Sequence, residues 1–301
     1  MPVVDASRLL EHAARHRYAV CAFDIPDLAV LSATLAAAER ARAPVILSPG
    51  SAGVAPPEHL LPALEAAARG AAIPVVLAQH GAASLAEAAR AINHGCNALI
   101  IGTGESHSFA TVARQCGIAL ITGAVAADLD AGESSYAGWL ASGATVVIHA
   151  HLQDVAMPPS PAAGYTAFLR TFHQRLEQEV ATRLAWSRSA GQASAALAVA
   201  PAFHPVEHCI VYNVDSQHAS RIDEVMEHGR RVLGAIPGVR AVFTGRAEGT
   251  GAKYQYCWIV RFAHPAVIDS YRDHPDHVGF ANTHFRPIAP DRLTIDFRRV
   301  E

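Results

Sequence analysis

Through the first half of the chain, short apolar runs alternate with longer Ala- and Leu-rich stretches whose apolar positions recur at helical spacing. The runs YAVCAFDI (18–25), PVILSPGS (44–51), IPVVLAQH (73–80), NALIIGTGESH (97–107), GIALITGA (117–124) and TVVIHAHLQD (145–154) are near-continuous and rich in β-branched residues. That pattern suits strands buried on both faces. The intervening stretches, among them SRLLEHAARHR, LAVLSATLAAAERARA, HLLPALEAAARGA and SLAEAARAI, read as helices, with a further one expected at SSYAGWLASG. In the first, Leu9, Leu10 and Ala13 share a side, and Asp5 or Ser7 can cap its start. Six rounds of strand and helix predict an α/β fold, a parallel TIM-type (β/α) barrel or a wound sheet. The segment is short for eight units, since a full barrel typically takes about 250 residues.

From residue 187 the composition shifts to small, apolar, Pro-punctuated sequence, and 196–207 reads as a linker between domains at 1–195 and 208–301. Beyond it the rhythm changes to α+β. HCIVYNV is a strand and ASRIDEVMEHGRRVLGAI an amphipathic helix, with Ile222, Val225, Met226, Val232 and Leu233 on its apolar side. GVRAVFTGRA and YQYCWIVRFA are strands, HPAVIDSYRDH is a helix, a short segment follows, and LTIDFRRV closes with a strand. The order βαββαβ predicts a ferredoxin-like module. One side of so small a sheet has no helix of its own and must be covered.

Composition narrows the function classes. The 301 residues are 51% hydrophobic with a net charge of −3 and no block of like charge. A nucleic-acid binder would carry a basic stripe, so no nucleic-acid partner is expected. No apolar run approaches ~20 residues and the N-terminus has polar residues where a signal peptide needs apolar ones. A protein without a membrane partner is expected. Five scattered cysteines without a CxxC read as buried, reduced thiols and a cytoplasmic setting. Seventeen histidines are the compositional oddity.

Several of those histidines fall where an α/β fold binds ligands, at the carboxyl ends of strands. His80 ends its run just before Gly81; His107, His149 and His151 lie at or just past others. His149 and His151, two apart, share one face of a strand. With His80 they would give a three-histidine site with an open position, suited to zinc or another divalent metal. The alternative is that they are ordinary polar strand ends. Asp24 and Glu105 are the carboxylates nominated as a catalytic base, the alternative for each being to cap the following helix.

The stretches YAVCAFDIPDLAVLSATLAAAERARAPVIL, IPVVLAQHG and GIALITGAVAADLDAGESSYAGWLASGATVVI resemble the class II, metal-dependent ketose-bisphosphate aldolases, and RLEQEVATRLAWSRSAGQA is similar to that family's closing helix. The resemblance implies a (β/α) barrel with its site at the C-terminal face. It also implies a divalent metal that polarises a carbonyl, and a carboxylate that passes a proton. Gln79-His80-Gly81 stands where the family has Asp-His-Gly, so the metal-ligand histidine is kept and the acid/base carboxylate is an amide. Thr122-Gly123-Ala124 matches the family's His-Gly-Gly, only VIHAH matches its last phosphate motif, and its Glu ligand has no counterpart. IIGTGESH matches either the strand carrying a second ligand, which would be His107, or an earlier strand. The expected reaction is C–C bond cleavage or formation on a non-phosphorylated carbonyl substrate rather than the ordinary fructose-bisphosphate reaction.

HCIVYNV, IPGVRAVFTGR, YQYCWIVRFAHPAVIDSYRDHPDHVGFANTHFRPI and LTIDF resemble the stress-responsive dimeric α/β-barrel (Dabb) family, most distinctively in HPDHVGF after a Tyr. The resemblance implies a homodimer formed sheet to sheet. A plant polyketide cyclase of that family uses a Tyr and a His on this helix and a His on the first strand, which match Tyr271, His277 and His208 here. A His–Tyr pair removes and returns a proton in an aldol-type ring closure without metal. Three readings follow: a metal-dependent aldolase-like lyase, an aldol-type cyclase in the C-terminal domain with an inactive barrel, or a non-catalytic dimer that binds a small ligand.

Overall fold

The computed structural model describes residues 3–49, 57–101, 106–122, 147–150, 165–193, 204–249 and 251–298. The expected helix at 134–143, Glu105, His151 and most of the linker lie outside the described residues. The chain divides into two compact units: Met1–Ala83, Cys96–Phe109 and Ile118–Ala202 form the first, and Ser84–Gly95, Ala110–Gly117 and Phe203–Glu301 the second.

The first unit is built on a parallel sheet. Its strands are β1 (Val20–Ile25), β2 (Val45–Pro49), β3 (Val75–His80), β4 (Ala98–Ile101), β5 (Ala119–Thr122) and β6 (Val147–Ala150), in the order β5-β4-β3-β2-β1-β6. Sequential strands are neighbours, and the sixth returns to the free side of β1, with Ala22 opposite His149. A strand added there is what closing a parallel sheet on itself requires, but no pairing of β5 with β6 occurs among the described residues. The parallel α/β expectation is met; barrel closure is not among the described pairings.

Three helices begin or flank these strands: α1 (Ala6–His16), α2 (Leu28–Ala41) and α3 (Pro57–Gly70); the next helix, α4 (Leu85–Asn93), belongs to the second unit. Asp5 caps α1, its carboxylate accepting from the Arg8 amide at 2.9 Å. Asp27 caps α2 by accepting from Ala29 and Val30 at 2.8 and 2.9 Å, so Asp24 is not the cap of that helix. Leu9 and Ala13 of α1 pack into one cluster with Val20, Ala22, Ile46, Val76, Ala78, Ala98, Ile100 and Ile121, covering one face of the sheet. Asn97 ties the amino ends of these strands together. It is buried, its Oδ1 accepts from Leu77 N at 2.8 Å, and its Nδ2 donates to Val4 O at 2.7 Å. A buried amide with both ends bonded fixes register without an unpaired polar group.

The sequence placed His107 at or just past a strand end. The described strand β4 ends at Ile101, and His107 lies past it, on α5 (Ser106–Cys116). Phe109, Ala113 and Cys116, at i, i+4 and i+7, are buried, and that helical stripe outweighs any extension of the strand. The expected closing helix is α6 (Tyr165–Trp186), which packs on α2 and buries Leu176, Val180 and Leu184. Arg40–Glu177 (2.5 Å) and His173–Ser32 (3.3 Å) bind its flank.

In the second unit β7 (Val206–Tyr212), β8 (Val239–Arg246), β9 (Tyr256–Phe262) and β10 (Arg292–Arg298) form an antiparallel sheet in the order β10-β7-β9-β8. A 3₁₀ turn at Ser216–Arg221 leads into α7 (Ile222–Gly234), and α8 (Val267–Arg272) follows β9. This is the ferredoxin-like βαββαβ arrangement. The short segment after α8 holds a further helix, α9 (Pro275–Phe280), continued by a π turn at Ala281–Phe285, so His277 is on α9 and not on the helix of Tyr271. His274 caps α9 by accepting from Asp276 N at 3.3 Å, and Pro275 occupies its first position, where a missing N–H costs nothing. All five cysteines are free, with Cys21, Cys96 and Cys116 buried. No helix among the described residues is long and apolar enough to cross a membrane.

Candidate functional site

Two groups of polar side chains stand out, one in each unit. In the first, strand alternation carries Asp24, Ser48 and His80 onto the sheet face that holds Ala22, Ile46 and Ala78, at the carboxyl ends of β1, β2 and β3. Asp24 and Ser48 are register neighbours and both are buried. The Ser48 hydroxyl accepts from His80 N at 3.3 Å, which fixes the end of β3 against β2. Gly81 then turns the chain with φ +62, a conformation that favours glycine, and its N–H donates to Ile100 O at 2.9 Å. Gln79, of the opposite parity, is buried and donates from Nε2 to His80 O at 3.2 Å.

A divalent metal there would need at least three donors. Of the expected ligands His80 is at this strand end; His107 is on α5, His149 is placed only by its backbone opposite Ala22, and His151 lies outside the described residues. Among the described residues no group of three or more His, Cys, Asp or Glu side chains is arranged to hold an ion. The described side chains therefore do not themselves make up the expected metal centre.

The second group is assembled. His208 of β7, Tyr271 of α8 and His277 of α9 lie together under the helices: the Tyr271 and His277 rings are 4.4 Å apart and the His208 and Tyr271 rings 5.9 Å. Phe262 floors the group, 4.9 Å from Tyr271 and 5.8 Å from His208. Tyr271 is buried, and desolvation raises its phenol above the ordinary value of 10.0, so it stays protonated as a hydrogen-bond donor. Burial is also the main reason that His277 falls below 6.5; the Arg272 carbonyl opposes the shift, while His208, Arg286 and His274 add to it.

Tautomers follow from the hydrogen bonds. His277 Nδ1 lies 3.0 Å from Arg272 O, which only accepts, so Nδ1 carries the proton and Nε2 the lone pair. His208 Nδ1 lies 2.7 Å from a carboxylate oxygen of Asp296, which orients that imidazole in the same way. The site thus holds a neutral imidazole base, a protonated phenol and a second imidazole held by a carboxylate. Sequence reasoning found Tyr271, His277 and His208 but missed Asp296. Its signal is the alternation in LTIDF together with the β10–β7 register, which sets Asp296 directly opposite His208. Ser48 was missed as well, its role depending on the neighbouring strand.

Comparison with known proteins separates the same two parts. Residues 4–114 match the class II fructose-bisphosphate aldolase family and residues 206–299 the stress responsive A/B barrel (Dabb) domain. The N-terminal part is thus aldolase-like and the C-terminal part Dabb-like. The chain shares its fold with the YdjI aldolase of Escherichia coli K12, at 16% identity and TM-score 0.53 over 63% of this chain and 99% of that one. It is similar in fold to an aldolase of Coccidioides immitis described as a fructose-1,6-biphosphate aldolase candidate, at 13% identity and TM-score 0.53 over 64% and 99%. A Dabb family protein with a ferredoxin-like fold from Mesorhizobium loti matches at 25% identity and TM-score 0.30, over 33% of this chain and 99% of that one. No curated protein matches the chain.

Proposed function

We propose that this protein carries out enolate chemistry on a small carbonyl compound, with aldol-type formation or cleavage of a C–C bond, and that Tyr271, His277 and His208 are its proton-transfer centre. The observation that supports it is the Tyr271–His277 pair: an imidazole with its free nitrogen defined by Arg272 O, beside a phenol that burial keeps protonated. In the forward direction His277 Nε2 takes a proton from the carbon next to the substrate carbonyl, and the Tyr271 hydroxyl donates a hydrogen bond to the developing enolate oxygen. The enolate carbon attacks a second carbonyl, one C–C bond forms, and the imidazolium returns its proton to the new alkoxide.

The test is exchange of the α-protons of a β-keto thioester in deuterium oxide, followed by NMR. Exchange catalysed by the wild type, and lowered about 10²-fold or more in Tyr271→Phe and His277→Asn, supports the reading. Equal exchange in wild type and both variants overturns it.

The finer reading drawn from the aldolase resemblance is a divalent metal, zinc or a similar ion, held by His80 with His107, His149 or His151, with Asp24 as base. The buried Asp24 beside Ser48 and His80 at the carboxyl ends of the strands favours this as a second centre. When bound, such a metal polarises a carbonyl oxygen. Near-stoichiometric metal in purified protein, falling sharply in His80→Ala, supports it; metal content unchanged by that substitution sinks it.

The assembly we propose is a homodimer through the bare face of the C-terminal sheet, in a reducing cytoplasmic setting that suits five free thiols. A net charge of −3 supports a small-molecule partner over nucleic acid.

A further inference from the structure

A second pair of histidines stands apart from both groups. His228 on α7 and His284 in the π turn after α9 are half-buried, with ring centroids 4.9 Å apart and ring planes at 77°. Phe280 backs both, 5.7 Å from His228 and 5.9 Å from His284. Among the described residues these ring contacts are the interactions the two imidazoles make, so their nitrogens are not committed to hydrogen bonds as those of His208 and His277 are. A π turn costs backbone regularity and recurs where a side chain must be aimed for function.

We propose that His228 and His284 form a two-histidine site for a borderline transition-metal ion such as zinc, with its remaining positions open to water. Zinc binds imidazole nitrogen at about 2.0–2.1 Å, which puts the ion roughly 3.2 Å from each ring centroid, and a tetrahedral opening then separates the centroids by about 5 Å. The observed 4.9 Å matches that separation. The rings meet edge to face, and rotation about χ2, a soft torsion, is what would bring a nitrogen of each toward a shared point. The neighbouring charges permit it. Arg230 is held by Glu227 and by Thr244 at 2.6 Å, and Arg286 by Asn282 at 2.6 Å. Glu224 lies one turn before His228 on the same helix, while Arg231 lies three residues beyond it. Because α9 runs from His277 directly into the π turn, an ion here would clamp to α7 the segment that follows His277.

The test uses the full chain carrying His80→Ala, so that the position proposed for the barrel metal is silent, and zinc chloride alone as the probe. One zinc per chain is expected, with an anomalous peak at the zinc edge between the His228 and His284 rings in soaked crystals. Zinc affinity should fall tenfold or more in His228→Asn and in His284→Asn and stay unchanged in His12→Asn, a control on α1 in the first unit whose Nδ1 lies 3.0 Å from the Tyr18 hydroxyl. A map with zinc only elsewhere, or an affinity that follows His12, overturns the site. The outcome is independent of the proton-exchange assay, so failure of one reading leaves the other standing.

Discussion

The Tyr271 phenol and the His277 imidazole lie 4.4 Å apart, with His277 Nδ1 donating to Arg272 O at 3.0 Å. Burial drives their ionisations in opposite directions, Tyr271 up and His277 down, and both shifts preserve the neutral forms. The two groups therefore share a wide pH range in which one accepts and the other donates a proton.

This arrangement fixes the pH dependence. The His277 base is neutral above a native pKa that lies below 6.5, so proton exchange should be at its plateau at pH 7 and fall only on acidification below pH 6.5. The basic limb should lie above pH 10, where Tyr271 would ionise. Stability follows the same sign. Between the native pKa and the unfolded value of 6.5 the unfolded chain binds the extra proton, so His277 costs stability as pH falls through that interval and nothing above it. A pH–rate profile with its acidic midpoint above 6.5 would contradict the assignment.

Asp296 orients His208 through a 2.7 Å hydrogen bond, yet its carboxylate is 40% exposed. A hydrogen bond so accessible to solvent contributes little to folding, so Asp296→Asn should change stability by less than about 1 kcal/mol. Its effect belongs to the reaction: the amide no longer imposes one tautomer on His208. The expectation is a drop in kcat of about tenfold with little change in KM, and partial recovery in Asp296→Glu. Loss of stability in step with loss of rate would show a purely structural role.

Gly229 on α7 meets the sheet where no side chain fits. A Cβ there would lie 2.3 Å from Cη2 of Trp258 and 2.5 Å from Cζ of Phe280. Alanine gains up to about 1 kcal/mol of helix propensity, but overpacking typically costs about 1–3 kcal/mol. Trp258 is itself buried and cannot yield without moving Phe280. Gly229→Ala should therefore lower the urea midpoint and alter the Trp258 environment in near-ultraviolet circular dichroism. A stabilised variant would mean that α7 sits farther from β9 than the structure has it.

How much was legible in the sequence divides along one line. Local periodicity and turn chemistry located nearly every strand and helix, and Asp5 was read as a cap because capping acts within three residues. What escaped depends on strand register or on competition between neighbouring patterns. His107 was placed at or just past a strand end because IIGTGESH is apolar and then polar; the stripe Phe109–Ala113–Cys116 sets it on the first turn of a helix. α9 was not separated from the helix of Tyr271, although a Pro at the first position, as in His274-Pro275, opens a new helix. Asp296 became part of a site only once β10 was paired with β7.

That pairing also defines the surface on which the assembly turns. Across the four strands Ile295, Cys209, Ile259 and Phe243 form one continuous rung, flanked by rungs containing Leu293 and Val211 on one side and Phe297 on the other. Directly paired residues share a face, and this is the face opposite Tyr271 and the helices. Leu293, Ile295, Phe297 and Phe243 are 46%, 43%, 50% and 56% exposed, a contiguous apolar patch that soluble monomers rarely present. The Glu207–Arg261 pair (2.6 Å) lies in the Phe297 rung, a polar border to the apolar row. The cover proposed for this surface is a second copy of the same sheet, since a two-fold axis would bring the patch onto itself. Ile295→Lys then places a charge in the middle rung of both partners, and interface anchors of this kind carry about 2 kcal/mol or more each. Light scattering after size exclusion should show two chains for the wild type and one for Ile295→Lys. The exposed control Leu28→Lys, 61% exposed on α2, should leave the dimer intact. A wild-type protein that runs as a single chain at micromolar concentration would remove the homodimer and leave this face to another partner.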